Sequence, residues 1–327
     1  MYLLELKSSN HELALAEARS VGDVYETARG VAVCKALDLE RAKRLGMSHR
    51  VLRYMAKSDA SLEGVLRAVE TCEYAFSGSF SVRARGVEET EIPVGTETLE
   101  RKVGSVIHER GHEVDLEDPD NEFRLVFTDD RCYFGKVVVD VSKEFSDRPT
   151  DKPFFKPGSM SPMLARTLAN IAGAGKSRLV LDPMCGTGGV LVEGGLVGSE
   201  VVGFDSDRQV LRGAETNLRE YLESDGWHLG AADASRLPLR ESSVDCAVTD
   251  FPYGRASSVD ADSVRSLAEN VLDELSRVVS DGGRCVVVCD RWLVDEAEAA
   301  GFEVVERLED RVHKSLTRRI LALESKK

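Results

Sequence analysis

Downstream of residue 150 the apolar positions fall into two rhythms that take turns. Short apolar runs at Arg178–Asp182, Glu200–Asp205, His228–Ala231, Val244–Thr249 and Arg284–Cys289 read as strands, while Gly189–Gly195, Arg208–Glu223 and Ser263–Val279 carry helical spacing. Continuous apolar strands such as Val286-Val287-Val288, alternating with helices, predict a parallel sheet covered on both faces. The end breaks the pattern. A helix at Val294–Ala300 is followed by two strands, Phe302–Arg307 and Ser315–Leu323, with no helix between them, so they must pair as an antiparallel hairpin.

The upstream half is patterned differently. Tyr2–Leu6 and Val31–Ala36 read as short strands, Asp38–Ala56 and Ser61–Thr71 as helices. Ser79–Arg85 alternates like a strand, Thr98–Arg110 is helical and stopped by Gly111, and the strands Phe123–Thr128 and Cys132–Val141 flank Asp129-Asp130-Arg131 as a hairpin. This half is α+β and shows no catalytic constellation. Between the halves, Ser146-Asp147-Arg148-Pro149-Thr150-Asp151-Lys152-Pro153 interrupts both patterns. The predicted organisation is an N-terminal region over 1–147, a linker over 148–158 and a second domain over 159–327, in keeping with 327 residues being more than one core normally supports.

Composition narrows the classes. No run of about 18 uncharged apolar residues exists and the first residues acquire charge too early for a secretory signal, so a cytoplasmic protein with no membrane association is expected. The seven cysteines are scattered singly without a CxxC pair, which predicts reduced, buried thiols and no metal site. A net charge of −14 argues against nucleic-acid binding by the whole surface but leaves room for a local basic face.

The chemistry sits at the ends of the downstream strands. Leu181-Asp182-Pro183-Met184-Cys185-Gly186-Thr187-Gly188-Gly189 is a glycine-rich turn between a strand and a helix, where a ligand can approach the backbone and unpaired N–H groups. The spacing is not G-x-G-x-x-G, and Asp182 disfavours a phosphate while suiting a cationic amino acid moiety. The next strand ends in Asp205, placed to accept both hydroxyls of a ribose, and the third is followed by Asp233-Ala234, placed to accept from an adenine amino group. The fourth strand runs into Asp250-Phe251-Pro252-Tyr253-Gly254. An exocyclic amino group on a purine is a poor nucleophile. The Asp250 carboxylate and the Phe251 carbonyl, accepting from its two N–H groups, would favour a pyramidal nitrogen with its lone pair toward a methyl donor, and Tyr253 would stack on the base. Taken alone, these five residues read equally well as a turn built from turn formers.

These residues resemble the Rossmann-like class I methyltransferases, and among them the amino-methylating branch whose motif is Asp or Asn, Pro, Pro, aromatic. The resemblance extends upstream. Phe80-Ser81-Val82-Arg83-Ala84-Arg85 followed by Leu99-Glu100-Arg101-Lys102-Val103-Gly104 looks like a THUMP strand and helix. Lys156–Arg166 is similar to the segment before the catalytic core, and His313–Arg318 to the final strand. Together they resemble the archaeal and eukaryotic tRNA guanine-10 N2-methyltransferases. The resemblance implies a class I sheet ending in an antiparallel hairpin, preceded by a THUMP-containing RNA-binding half. It also implies S-adenosylmethionine held by Asp182, Cys185, Gly186, Gly188, Asp205, Asp233 and Ala234, and catalysis by Asp250, Phe251, Pro252 and Tyr253. The implied partners are tRNA, contacted through Arg83, Arg85, Arg101 and Lys102, and a small zinc-binding activator docked beside the catalytic sheet.

One position departs from the family: Phe251 stands where proline is usual. Since that residue supplies only its carbonyl, activity is expected to survive, and proline at 251 to leave turnover equal or raised. The alternative is an RNA-binding subunit with the same fold but impaired catalysis. A DNA adenine methyltransferase would share the Asp250 chemistry but leave the upstream half unexplained, and a nicotinamide dehydrogenase would want another glycine spacing.

Overall fold

The computed structural model describes residues 1–141, 153–156, 158–223, 226–252 and 261–327, so most of the predicted linker lies outside the described residues. The chain divides into two compact units, Met1–Ser146 and Asp147–Lys327.

The first unit is built on strands β1 (Tyr2–Leu6), β2 (Gly22–Ala28), β3 (Val31–Leu37), β4 (Ser48–Asp59), β5 (Phe80–Gly86), β6 (Asn121–Phe127) and β7 (Arg131–Asp140). They form one sheet in the order β2-β3-β1-β4-β7-β6-β5, antiparallel except for the β5–β6 pair. The helices Leu62–Glu70 and Thr96–His108 fall where their apolar spacing predicts and contribute Val65, Val69, Leu99, Val103 and Ile107 to a core shared with Phe80, Phe123, Leu125 and Phe134.

One reading of this half needs correction, and two elements are not predicted. The helix predicted over Asp38–Ala56 is a single turn, Leu39–Ala42, followed by the twelve-residue strand β4. Gly46 and Met47 break the helix, and both their N–H groups donate to the buried Glu17 carboxylate at 2.7 Å. β4 then sits between β1 and β7, which satisfy its backbone on both sides; tertiary pairing overrides a helical apolar spacing that is only local. The helix His11–Val21, whose N-cap Asn10 accepts from Leu13 N–H at 3.3 Å, and strand β2 go unannounced by any clear period.

In the second unit the alternating pattern is realised. Strands β8 (Leu179–Asp182), β9 (Glu200–Asp205), β10 (Trp227–Ala231), β11 (Val244–Asp250), β12 (Val279–Cys289), β13 (Phe302–His313) and β14 (Leu316–Ser325) form a sheet in the order β10-β9-β8-β11-β12-β14-β13. The first five are parallel; β14 runs antiparallel to β12 and closes the terminal hairpin with β13. The chain builds outward from β8 through β9 to β10 and then returns to place β11 on the other side of β8. That reversal is the topological switch point where open α/β sheets leave a crevice at the carboxyl ends of their strands. The helix Pro162–Ala172 locks onto the helix Gly189–Leu196 through a buried ion pair, Arg166 to Glu193 at 2.9 Å. All seven cysteines are buried, Cys285 and Cys289 within the main core cluster. Among the described residues no helix is long and apolar enough to cross a membrane.

Candidate active site

The crevice is organised by the turn after β8. Gly186 (φ +52°) and Gly188 (φ +77°) take left-handed conformations that side chains rarely adopt. The turn is pinned to the neighbouring strand by Cys185 N–H donating to the Phe204 carbonyl at 2.8 Å and Gly186 N–H donating to Asp205 Oδ2 at 2.9 Å. Asp205 Oδ1 accepts from Asp207 N–H at 2.9 Å, so this carboxylate holds the loop as well as standing at the edge of β9.

Asp182, the last residue of β8, is 4% exposed and accepts from Met184 N–H at 3.1 Å. Burial, reinforced by the nearby charges of Asp250 and Asp205, holds its carboxyl well above the usual range. Three acids from three adjacent strands thus face one another electrostatically, and no cation from the described chain pairs with Asp182. An arrangement of this sort is costly until a cationic ligand arrives. The residues fit a ligand of that kind. A Cβ on Gly186 would meet nothing within 4 Å, leaving open space beside the loop, and the acids supply the negative charge that a sulfonium-bearing amino acid needs.

The other sequence-predicted residues are placed as follows. Asp233 lies two residues past β10 and is exposed; Ser235 N–H and Oγ donate to its Oδ1 at 2.9 and 2.7 Å, and these bonds hold its carboxyl below the usual range. Ala234 and Cys185 are buried, so only their backbones are available to a ligand. Asp250 ends β11, next to β8. Pro252 is half-buried, and Tyr253 and Gly254 lie outside the described residues.

Phe251 corrects the expectation that its side chain is immaterial. Its ring is 1% exposed and belongs to the core cluster that includes Val264 and Ala268 of the following helix, Ala261–Val278. Its N–H donates to the Val288 carbonyl at 2.9 Å and extends the β11–β12 ladder by one residue. Proline has no N–H and less volume. Restoring the family's residue here would remove a hydrogen bond and open a void, so equal or raised turnover is no longer the expected outcome.

Arg83, Arg85, Arg101 and Lys102 all lie in the first unit. Arg101 and Lys102 are exposed on their helix, and Arg83 donates to the Leu116 carbonyl at 2.9 Å. Arg85 is paired at 2.9 Å with buried Glu5.

Two supporting groups escaped sequence reasoning. Asn217, fully buried on the helix Arg208–Tyr221, exchanges 2.9 Å hydrogen bonds with both backbone groups of Phe154 and donates to the Thr187 carbonyl of the glycine turn. An asparagine on the apolar face of that helix was the available signal. Glu274 accepts from Leu237 N–H at 2.6 Å and Arg277 donates to the Leu237 and Leu239 carbonyls, which fixes the segment beyond Asp233.

A parallel sheet wound to a switch point, with a glycine turn and acids on consecutive strand ends, defines a class I methyltransferase, an enzyme that draws its methyl group from S-adenosylmethionine. The RMKL-like methyltransferase domain matches residues 149–320. The tRNA (guanine(10)-N2)-dimethyltransferase of Methanothermobacter thermautotrophicus is 36% identical over 99% of both chains, and that of Pyrococcus abyssi 28% identical over 100% of both. The crystal structure of TrmN from Thermus thermophilus superposes over 99% of both chains with a TM-score of 0.52 at 25% identity. The chain belongs to the tRNA (guanine(10)-N2)-dimethyltransferase family of RMKL-like methyltransferases.

Proposed function

We propose that this enzyme methylates the exocyclic N2 of a guanosine in tRNA, at position 10, adding one or two methyl groups. The observation that carries the reading is the placement of Asp250 at the end of β11, directly beside the strand whose glycine turn and buried Asp182 form the cofactor crevice. The substrate named for the relatives, which this chain matches along its whole length, supplies the rest of the reading.

In this reading Asp182 holds the cofactor's ammonium group, Asp205 its ribose and Asp233 its adenine amino group, with the backbones of Cys185, Gly186, Gly188 and Ala234 lining the turn. When bound, S-adenosylmethionine supplies an electrophilic methyl on sulfur. The chain's own residues do the rest. The Asp250 carboxylate and Phe251 carbonyl accept from the two N–H groups of guanine N2, turn its lone pair out of conjugation and stabilise the positive charge that develops on nitrogen, and the Asp250 carboxylate takes the proton that nitrogen must shed once it carries the methyl group. Pro252 stiffens the turn and Tyr253 stacks on the extruded base. Residues 1–147, read as a THUMP-containing module, hold the tRNA by its backbone, with Arg83, Arg101 and Lys102 as contacts and Arg85 shared with Glu5. A cytoplasmic setting and docking of a small zinc-binding activator beside the catalytic sheet belong to the same proposal on the strength of the family resemblance.

Nucleoside mass spectrometry of tRNA incubated with the protein and labelled cofactor tests it: label must appear in N2-methylated guanosine. Asp250→Asn keeps one acceptor oxygen but loses the charge. Its single-turnover rate should fall about 10²-fold or more, with little change in cofactor or tRNA affinity. Wild-type transfer by this variant rules the mechanism out.

A further inference from the structure

The terminal hairpin extends beyond the edge at which Asp250 stands. Asp250 pairs with Val288, Val288 with Ile320 and Ile320 with Leu308; past that level the hairpin continues through Arg319–Glu309, Arg318–Asp310, Thr317–Arg311 and Leu316–His313. Four further pairs at about 3.3 Å per residue carry its tip about 13 Å beyond the carboxyl edge, and β14 is two strands, about 10 Å, to the side of β11. It forms a wall beside the catalytic turn.

The charge of this wall is opposite to that of the chain. From Glu309 to Arg319 there are four cations and two acids, in a protein of net charge −14. Asp310 and Glu309 take up Arg318 and Arg319. Arg311 and Lys314 remain exposed at the tip, with no ion pair among the described residues. Trp292, three residues past the end of β12 and 37% exposed, lies at the same edge with the Arg319 guanidinium 5.2 Å from its ring centroid.

We infer that the β13–β14 tip and Trp292 form an RNA-contact surface in the catalytic unit itself, with Arg311 and Lys314 taking backbone phosphates and Trp292 stacking on a base that flanks the target nucleotide. The inference rests on the proposed RNA substrate. Cations alone would suit any polyanion, an acidic protein included. A cation-backed indole beside them adds a stacking platform that a nucleobase uses and an acidic peptide does not. The placement also answers a need of the chemistry, since a base turned out of its stack leaves neighbours that must be held still while N2 is presented.

The experiment is tRNA binding to the full chain across a salt series, alongside cofactor affinity. Arg311→Gln with Lys314→Gln should weaken binding about tenfold and lower the slope of log affinity against log salt by about 1–2, because two phosphate contacts are lost. Trp292→Ala should weaken binding about tenfold at unchanged slope. Cofactor affinity should not move, and Arg311→Lys with Lys314→Arg should restore both affinity and slope. Wild-type affinity and slope in the Gln double variant overturns the inference, as does failure of the wild-type protein to bind tRNA. A wild-type protein that binds tRNA with the predicted variant behaviour yet methylates no guanosine upholds the surface and overturns the proposed substrate position.

Discussion

Glu5 and Asp182 are both acids at the heart of a sheet, 1% and 4% exposed, and their surroundings could hardly differ more. Glu5 sits on β1 opposite Arg50 of β4, which in turn faces Asp140 of β7. Arg85 reaches Glu5 Oε1 at 2.9 Å, and Arg124 and Arg50 approach Oε2 at 3.5 and 3.8 Å. Glu122 and Asp140 take up the remaining guanidinium charge. Asp182 has one backbone N–H and two like-charged neighbours. The first acid is compensated inside the fold and serves the sheet. The second is left short of positive charge, the situation expected of an acid that a cationic ligand completes in the proposed function. Burial by itself does not mark a functional acid; burial without a partner cation makes it a candidate.

The largest effect should come from breaking the compensated acid. Glu5→Gln leaves Arg50, Arg85 and Arg124 crowded around a neutral amide, and should cost about 3 kcal/mol, a fall in the first unit's Tm on the order of 10 °C. Thermal denaturation of the full chain measures it. A negligible shift would mean that the network is surface-like, and the contrast with Asp182 would collapse.

Phe251→Pro asks whether the position of Asp250, the proposed catalytic carboxylate, depends on packing rather than pairing. Loss of the ring from the core and of the bond to Val288 should cost about 2–3 kcal/mol and lower turnover by about tenfold or more, while Phe251→Leu should retain most of both. If Pro turns over as fast as Phe at unchanged Tm, the buried ring is dispensable and the earlier expectation stands.

The smallest and most discriminating change is Asp182→Asn. Cofactor affinity should fall roughly tenfold to a hundredfold, the scale of one charge-assisted hydrogen bond, whereas the free protein should become more stable. The sign follows from the raised carboxyl. The folded protein keeps a proton that the unfolded chain releases near pH 4, so wild-type stability declines as pH climbs from there through the raised folded value. The Asn variant escapes that decline. Its Tm advantage should be absent near pH 4 and grow toward neutrality, and wild-type cofactor affinity should rise over the same window as Asp182 gives up its proton. Calorimetry at several pH values checks both, and a destabilised Asn variant at neutral pH would show that Asp182 is a structural acid after all.

Most of the second unit could be read along the chain because its signals are local. The apolar runs that became β8, β9 and β11 carry their acids at their own carboxyl ends, and the turn of Gly186 and Gly188 lies between its strand and its helix. The first unit was less legible. β4 looks helical over a short window, and only pairing with β1 and β7, whose residues lie some 50 and 80 positions away, makes it a strand.

Residue spacing thus determined which elements form in the second unit, where its glycine turn falls and which acids end its strands. It could not determine which strands become neighbours. That β11 returns beside β8 and brings Asp250 near Asp182, that Phe251 closes a core instead of merely lending a carbonyl, and that Arg85 is shared with Glu5 were decided by contacts between distant parts of the chain. Hydrophobic period and turn chemistry act over a few residues, whereas strand order, burial and the balance of charge around a buried acid are properties of the assembled sheet.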